Sequence, residues 1–462
     1  MEKEQNVTRR KFLKTAATVA ASATAVTLAG PVAGPSAGTA AAQSASLPDV
    51  GAPAVLSAPG PGDAVRYGFI GTGTEGCNLL KFLSTIPEGR CLATCDIYPP
   101  NLKKGVETIG SHPDTYTEYL RMLERRDLDA VLIATPLNLH ARMVVDSLSA
   151  GKHVFIEKTM YFKEEEGELI RKAMAEHPKQ VLQVGLQRRS SVLYQVGMEM
   201  IRKGALGRVM CVRAQWDRNS NWRRPIPDPK YERLINWRMY KEYSGGMMAE
   251  LASHQIDVAN WAIGSEPKSV IATGGIDYWK DGRETCDNVH AIFEYPGGEK
   301  LIWSGVMSNA HFDFSEQIMG DRGTLIITIG KGMYYRENVA KVSTAGGKEN
   351  WWAGATVANQ PTQVGIPIFP EHGAPGELGF VDREVRYAKR WLASMGIYNY
   401  EEPHDPWWSE MHNFLMSVRD NKPIVAPFAI GESDARGVIY ANRAIETGQR
   451  VYWPQAPAKG KG

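Results

Sequence analysis

The chain has 462 residues, with 53 lysines and arginines against 51 acids and a formal net charge of +2 at neutral pH. Such a balanced charge gives no electrostatic footprint for nucleic acid. The five cysteines are odd in number and form no C-x-x-C pair, which excludes an evident disulfide framework or zinc site.

The first 42 residues have the features of an export signal. An arginine pair at Arg9 and Arg10 is followed by an uncharged run over 15–29, which is too short to span a membrane comfortably. Small residues follow, and a cleavage site is expected after Ala42. Residues 8–14 match the twin-arginine consensus, so the twin-arginine translocase is the expected partner and the periplasm, or another exported location, the destination. The alternative is a chance arginine pair before an uncleaved anchor.

Residues 43–64 are rich in alanine, proline, glycine and serine and are predicted to form a flexible or docked arm. About 400 residues remain, enough for two domains with their own cores. We predict a first domain over 65–185 and a second over 186–462, with an insertion at about 331–405.

The first domain begins with an apolar strand that leads into a glycine-rich loop. Gly71, Gly73 and Gly76 form G-x-G-x-x-G, with a helix after the loop and a second strand that ends at Asp96. Glycines there permit a tight turn, and the N-terminus of the helix, at Thr74, suits a pyrophosphate. The acid 20 residues beyond the third glycine is typical of ribose binding, and it favours NAD over NADP. The alternative is a glycine-rich turn without a ligand.

Strands and helices continue to alternate, which predicts a parallel Rossmann sheet. Ligands of such sheets bind at the carboxyl ends of the strands. The residues expected at those ends are Thr135, Pro136, Asn138, His140, Glu157, Lys158 and Gln187.

From about residue 208 the pattern changes to strands of period two, which predicts a mostly antiparallel open sheet with helices, an α+β domain after the α/β domain. A helix is predicted over residues 245–264, with Gly264 as its stop. On that helix Glu250, His254, Asp257 and Trp261 would share one face, as suits a polar cleft. A solvated face, or a metal site on the same residues, is the alternative; no metal is predicted.

With these motifs in hand, the sequence resembles the glucose–fructose oxidoreductase / inositol dehydrogenase / rhizopine-catabolism (Gfo/Idh/MocA) family. The resemblance covers the mature chain to about residue 330 and again from about 405. It rests on the glycine loop, "ATPLNLH", "EK" at Glu157–Lys158, "GLQRR" and the "SHQID" helix. It implies catalytic roles for Lys158, His254 and Glu250.

The family's chemistry would place a sugar carbinol against the nicotinamide, with His254 taking the hydroxyl proton as hydride leaves. Lys158 would stabilise charge on the same oxygen, and Glu250 would orient the imidazole. Four further residues are predicted substrate contacts: Arg188, Arg189, Trp237 and Asp257.

The sequence departs from the family pattern at two site positions. Thr159 replaces the proline usual after "EK", so the family's cis-proline geometry is not assured, and Glu250 is one methylene longer than the usual aspartate. The aromatic and proline-rich insertion could form a carbohydrate platform or a subunit contact.

Together these features predict an exported oxidoreductase that transfers hydride from a sugar or sugar derivative to tightly bound NAD. One alternative, also implied by the resemblance, is an NAD-dependent glycosidase that works through a transient keto sugar, for which His404 or His412 could supply an additional base. Another is a non-catalytic sugar-binding protein. A homo-oligomer is expected by analogy.

Overall fold

The computed structural model describes residues 62–337, 365–369, 381–398 and 402–454. The predicted signal peptide and its cleavage site lie outside the described residues. So do nearly all of the arm and most of the insertion, and these predictions stay as they stand.

The first domain is a six-stranded parallel sheet with helices between the strands, as predicted. Its strands lie in the order β3-β2-β1-β4-β5-β6. Their hydrophobic sequences explain their place, since β1 and β4 are buried almost throughout. The strands are β1 (Val65–Ile70), β2 (Gly89–Cys95), β3 (Asp114–Tyr116), β4 (Ala130–Ile133), β5 (His153–Glu157) and β6 (Leu182–Gly185); the helices are α1 (Thr74–Leu83), α2 (Pro99–Ile109), α3 (Tyr119–Leu123), α4 (His140–Ser149) and α5 (Glu164–Glu176).

The second domain contains a nine-stranded sheet in the order β14-β13-β12-β11-β7-β10-β9-β8-β15. Its neighbouring strands are antiparallel except for β7 and β10, which confirms the predicted mostly antiparallel sheet. The strands are β7 (Val209–Trp216), β8 (Ser269–Gly275), β9 (Asn288–Glu294), β10 (Lys300–Val306), β11 (Phe314–Gly320), β12 (Gly323–Thr328), β13 (Lys331–Arg336), β14 (Ile366–Phe369) and β15 (Val451–Tyr452); the helices before and within it are α6 (Val192–Arg202), α7 (Glu232–Ile235) and α8 (Ser253–Ile263).

Helix α9 (Val381–Ser394) lies within the predicted insertion, and two helices follow it, α10 (Pro406–Asp420) and α11 (Phe428–Thr447). Helix α10 packs its apolar face, which includes Met411, Phe414 and Leu415, into the core on which Val65 and Tyr67 also lie. The sequence boundaries had put residues 186–462 together in the second domain. Within those boundaries, α10 packs its apolar face on β1 and α1 of the first domain, and the boundaries themselves stay a prediction.

The helix predicted over 245–264 forms in two parts. A π-helical turn, Met248–Ala252, precedes α8, and Gly264 ends α8 with a left-handed φ of 80°, as expected. Single π turns inside helices occur mostly at functional sites. This turn carries Glu250.

All five cysteines are free thiols. No helix in the described ranges is long and apolar enough to cross a membrane. In the same part of the chain, no three His, Cys, Asp or Glu side chains are grouped so that they could hold a metal ion.

Candidate active site

The glycine-rich loop after β1 is closed on one side and open on the other. A Cβ at Gly76 would lie 1.9 Å from the Gly71 carbonyl oxygen, and one at Gly71, where φ is +89°, would lie 2.6 Å from the Ala134 oxygen. A Cβ at Gly73 would meet only the Asn101 amide nitrogen, at 3.9 Å. The turn therefore requires Gly71 and Gly76 for its own packing, whereas Gly73 faces space in which a pyrophosphate fits against the N-terminus of α1.

Asp96, directly after β2, is held at the predicted ribose position by the chain itself. One carboxylate oxygen accepts the Thr72 N–H at 2.9 Å and the other accepts the Tyr98 N–H at 2.8 Å. Burial raises the pKa of Asp96, although these N–H groups act in the opposite direction. The first oxygen also accepts from the Thr72 hydroxyl, at 3.3 Å, and from the Asn101 amide, at 3.5 Å. The oxygen that accepts from Tyr98 keeps a further lone pair, so the residues present fit a dinucleotide whose ribose donates a hydroxyl to Asp96.

The residues between β4 and α4 line the same edge of the sheet. His140 is buried, and its two ring nitrogens contact the carbonyl oxygens of Thr135, at 2.9 Å, and Thr159, at 2.8 Å. Its ring therefore joins the ends of β4 and β5. Pro136 lies just before the short helical turn Leu137–Leu139.

Two amide oxygens at this edge, those of Asn138 and Gln187, are enclosed and lack a hydrogen-bond partner. Buried amide oxygens are usually satisfied, so both are suited to accept from a ligand. Their predicted contact with the cofactor stays a prediction.

Lys158 extends from the end of β5 across to the second domain. Its Nζ donates to the carbonyl oxygens of Glu250, at 2.9 Å, and Ala249, at 3.2 Å, both on the π-helical turn. A lysine ammonium has three donors, so one N–H is left for a substrate oxygen. The peptide bond that follows, between Lys158 and Thr159, is cis. This is the geometry that the proline usual at this position in the family would provide.

His254, near the start of α8, lies within range of the charge of this ammonium. Its ring is 7% exposed, centred 5.8 Å from the Trp216 ring, and its Nδ1 has no hydrogen-bond partner. Burial, together with the positive charges of Lys158, Arg188 and Arg218, lowers the pKa of His254 well below its ordinary value. His254 is therefore neutral near pH 7 and able to accept a proton.

Glu250 has a different partner from the one expected. Its carboxylate accepts from Arg238 Nε at 2.7 Å, and no hydrogen bond joins it to His254 among the described residues. Burial favours the neutral acid, but the charges of Arg238 and Lys158 prevail and lower the pKa of Glu250. The carboxylate is thus ionised and lies within range of the charges of Arg238 and Lys158, and its predicted role in orienting the imidazole stays a prediction.

The remaining predicted substrate contacts have partners within the chain. Arg189 donates to both oxygens of Asp257, at 2.6 to 3.0 Å, and stacks on Trp261 at 4.8 Å. Both members of this pair are less than 10% exposed. Asp257 and Trp261, the last two residues of the predicted polar face, therefore connect α8 to the turn after β6. Trp237 lies under the guanidinium of Arg238, 4.2 Å from it, and so borders the Glu250 site.

Arg188 lies closer to His254 than the Arg189 pair does. It is within 3.5 Å of the buried Glu316 and stacks on Phe314 and Trp216. Burial raises the pKa of Glu316 to about 7. The predicted contacts of Arg188, Arg189, Trp237 and Asp257 with substrate stay predictions.

The two histidines considered as an additional base stand apart from this centre. His404 and His412 stack on either side of Trp408, whose indole N–H donates to Thr85 beyond the end of α1. The glycine loop is at the other end of α1, about 15 Å away for a helix of ten residues.

Sequence reasoning missed a group of arginines on the segment after β7. Arg224 donates to the Thr74 hydroxyl at 2.5 Å, at the N-terminus of α1, and Arg218 stacks on Trp216 at 5.0 Å. Nearby, the Tyr231 ring packs on Tyr98 with the centroids 5.2 Å apart. Three arginines within the stretch "DRNSNWRR", directly after a strand, were the available signal.

Glu157, at the end of β5, is a buried acid with an unusual charge state. Burial raises its pKa to about 8, and the negative charge of Glu75 adds to the effect. Glu410 of α10 lies in the same region, fully buried, and both its oxygens lack a partner. These groups are neutral in the folded protein at neutral pH, where they would ionise in the unfolded chain.

Replacing Glu157 with glutamine should reduce the fall in the free energy of unfolding as the pH rises from 4.5 to about 8. The folded acid stays protonated up to about pH 8, whereas the unfolded acid ionises from 4.5, so rising pH favours unfolding across that window. In the variant, the free energy of unfolding should lose a pH dependence that approaches about 1.4 kcal/mol per pH unit. Unfolding midpoints from pH 5 to 8 measure it, with Glu107→Gln on an exposed face as the control. Parallel curves for the variant and the wild type would contradict the buried neutral acid.

Comparison with known proteins agrees with this architecture. Residues 65–186 match the model described as "Oxidoreductase family, NAD-binding Rossmann fold", and residues 194–326 match the "GFO/IDH/MocA C-terminal domain". Together the two matches cover more than half of the 462 residues.

Two curated relatives and one solved structure illustrate the similarity. Inositol 2-dehydrogenase of Rhizobium meliloti is 27% identical over 265 residues, which is 56% of this chain and 74% of that protein. Glycosyl hydrolase family 109 protein 1 of Shewanella sp. (strain MR-4) is 27% identical over 245 residues, 51% of this chain and 50% of that protein. The chain thus spans from half to about three quarters of these relatives.

The WlbA dehydrogenase of Bordetella pertussis, crystallised with NADH and UDP-GlcNAcA, superposes with a TM-score of 0.63. It is 20% identical, and the match covers 86% of this chain and 99% of that one, so it shows a shared fold. With both domains matched and the glycine loop, Asp96 and Lys158 in place, the chain belongs to the GFO/IDH/MocA family of oxidoreductases and carries its NAD-binding Rossmann domain.

Proposed function

We propose that the protein oxidises a carbinol of a sugar or sugar derivative, with hydride transfer to NAD. The observation that carries the proposal is the approach of Lys158, from the Rossmann domain, to the π-helical turn that precedes His254. It brings an ammonium donor and a neutral imidazole to the edge of the sheet where the cofactor binds. The inositol dehydrogenase and the WlbA dehydrogenase, which are similar to this chain, support a polyhydroxylated substrate.

The chain's own residues have separable tasks in this reaction. Gly73, Thr74 and Asp96 would hold the dinucleotide, and a bound nicotinamide supplies the acceptor for hydride. His254, kept neutral by its surroundings, takes the proton of the reacting hydroxyl group. Lys158 donates its remaining N–H to the same oxygen and stabilises the negative charge that develops there.

We further propose that the protein is exported by the twin-arginine route with its cofactor already bound. The periplasm offers no dependable supply of NAD, so a working enzyme there has to retain its own. Two contacts of the segment after β7, Arg224 to Thr74 and Tyr231 to Tyr98, support retention, since both fasten that segment over the cofactor loop. Retention would let one sugar be oxidised and a second reduced on the same NAD.

Replacing Arg224 with glutamine should speed release of NAD by roughly 10- to 100-fold, because a charged donor beside the pyrophosphate site is lost. The rate is measured as NADH fluorescence decays on dilution into excess unlabelled NAD. Arg223→Gln is the matched control, since Arg223 pairs with Glu232 and Asp281 instead. Equal rates of release from the wild type and Arg224→Gln would contradict a role for Arg224 in retaining the cofactor.

A second candidate function is a redox-neutral glycosidase. The relatives named glycosyl hydrolase family 109 and alpha-N-acetylgalactosaminidase favour it. In that cycle transient oxidation to a keto sugar acidifies the neighbouring C–H, the glycosidic group is eliminated, water adds and the hydride returns. His404 and His412 do not lie with His254, so the additional base would have to come from elsewhere.

One experiment tests the proposed function against this candidate. The mature protein is purified without added cofactor, denatured and analysed for nucleotide, and the intact protein is then given paired sugars or aryl glycosides. Bound NAD with formation of a keto sugar and a reduced partner supports oxidoreduction. Release of the aglycone without net NADH supports the glycosidase, and a protein that binds no NAD refutes both.

A homo-oligomer is also proposed. Ile271, Ile292 and Ile302 lie opposite one another across β8, β9 and β10, and each is more than a third exposed. An apolar row on an open sheet favours burial against a second copy. Size-exclusion chromatography with light scattering, on wild type and Ile292→Lys, would measure it.

A further inference from the structure

Arg218, the second residue after β7, is a cation for which the described residues supply no acidic partner. Its guanidinium lies 5.0 Å from the centre of the Trp216 ring, and its Nε is enclosed and has no hydrogen-bond partner. Among the described residues no carboxylate forms a salt bridge with it. A buried donor left unsatisfied is costly, so the site is suited to an acceptor that comes from outside the chain.

Three neighbouring arginines differ in this respect. Arg188 approaches Glu316, Arg189 is bonded to Asp257, and Arg238 is bonded to Glu250. Each of these three therefore has an acid within the protein as its partner. For Arg218, the described part of the chain supplies no such acid.

The position of Arg218 relates it to the reacting centre. The Trp216 ring on which it stacks is 5.8 Å from the His254 ring, and the charge of Arg218 acts on His254 directly. A sugar whose hydroxyl group is bound at His254 and Lys158 spans several ångströms. Another substituent of the same sugar then comes within reach of the guanidinium.

We propose that the substrate is an acidic sugar derivative and that Arg218 binds its oxyanion. This rests on the proposed function, because the carbinol must lie at His254. A guanidinium recognises carboxylate and phosphoryl groups through paired N–H donors. The shared chemistry is an oxyanion carried by a sugar, and a carboxylate and a phosphate are distinguished by the test below.

The test uses the NAD-loaded mature protein and follows NADH fluorescence. Substrates are offered in matched sets: glucuronate, glucose 6-phosphate and glucose, and galacturonate, galactose 6-phosphate and galactose. The variants are Arg218→Gln, which removes the charge, and Arg218→Lys, which keeps the charge but loses the paired N–H donors of the guanidinium. Arg213→Gln, on the exposed side of β7, is the matched control. Unfolding midpoints verify that each variant is folded.

We expect the acidic member of a set to have the higher kcat/KM. Arg218→Gln should lower that value by roughly 10- to 100-fold, mostly through KM, and change the value for the neutral sugar much less, with Arg218→Lys between the two. A preference for uronate or for phosphate identifies the oxyanion. Equal use of acidic and neutral sugars, unaffected by Arg218→Gln, would overturn this inference while the proposed function stands. If no sugar in the sets reduces NAD, direct binding of each uronate and sugar phosphate is measured by calorimetry, and absence of a loss in Arg218→Gln overturns the inference on its own.

Discussion

Replacing His254 with asparagine should lower kcat about 100- to 10,000-fold while bound NAD is retained. Asparagine keeps a polar side chain of similar reach but cannot accept the proton of the substrate hydroxyl group. Its amide also fills much of the space of the imidazole with a polar group, so we expect the variant to stay folded. The measurement is NADH formation in a single turnover, with bound nucleotide quantified in the same sample.

A matched control is available in His290→Asn, since His290 is an exposed histidine on β9. Lys158→Met should produce a loss of similar size, because the oxygen that loses its proton then has no charged donor. A His254→Asn protein that turns over sugar at the wild-type rate would show that the proton leaves by another route.

The second large effect is expected at the glycine loop, where substitutions of two nearby glycines should have different consequences for NAD binding and for stability. Gly73→Ala should weaken NAD binding by about 10- to 100-fold and leave the unfolding midpoint unchanged, since its Cβ would enter the space kept for the pyrophosphate. Gly76→Ala should instead destabilise the domain, by about 1–3 kcal/mol, since its Cβ would meet the Gly71 oxygen at 1.9 Å.

The two variants are compared by calorimetric titration with NAD and by thermal unfolding. Each serves as the control for the other, because both add one methyl group within three residues of the same turn. If Gly73→Ala bound NAD as the wild type does, the cofactor could not pass over this loop as the Rossmann domain implies.

Local features of the sequence were enough to predict the fold class and the cofactor loop. The apolar run of β1, the spaced glycines and Asp96 are close together in the chain, and their structure depends on steric limits that act over a few residues. Gly264 ended its helix for the same reason. The alternation of strands and helices, and then of strands alone, gave the two sheets.

Contacts between distant residues were beyond such reasoning. The sequence placed Glu250, His254, Asp257 and Trp261 on one helical face, but which partners they meet depends on segments far along the chain. Glu250 met Arg238, and Asp257 met Arg189, 68 residues away. The return of α10 to the first domain belongs to the same class of event.

The sequence by itself thus determined the two-domain architecture, the cofactor loop and the residue types suited to proton and hydride chemistry. Only the tertiary structure decided that Lys158 meets the π-helical turn 92 residues later, that His254 stays neutral among cations, and that no acid of the described ranges pairs with Arg218. The reason is physical. Backbone preferences are set by neighbouring residues, whereas the charge, burial and hydrogen bonding of a site are set by whichever side chains the folded chain brings together.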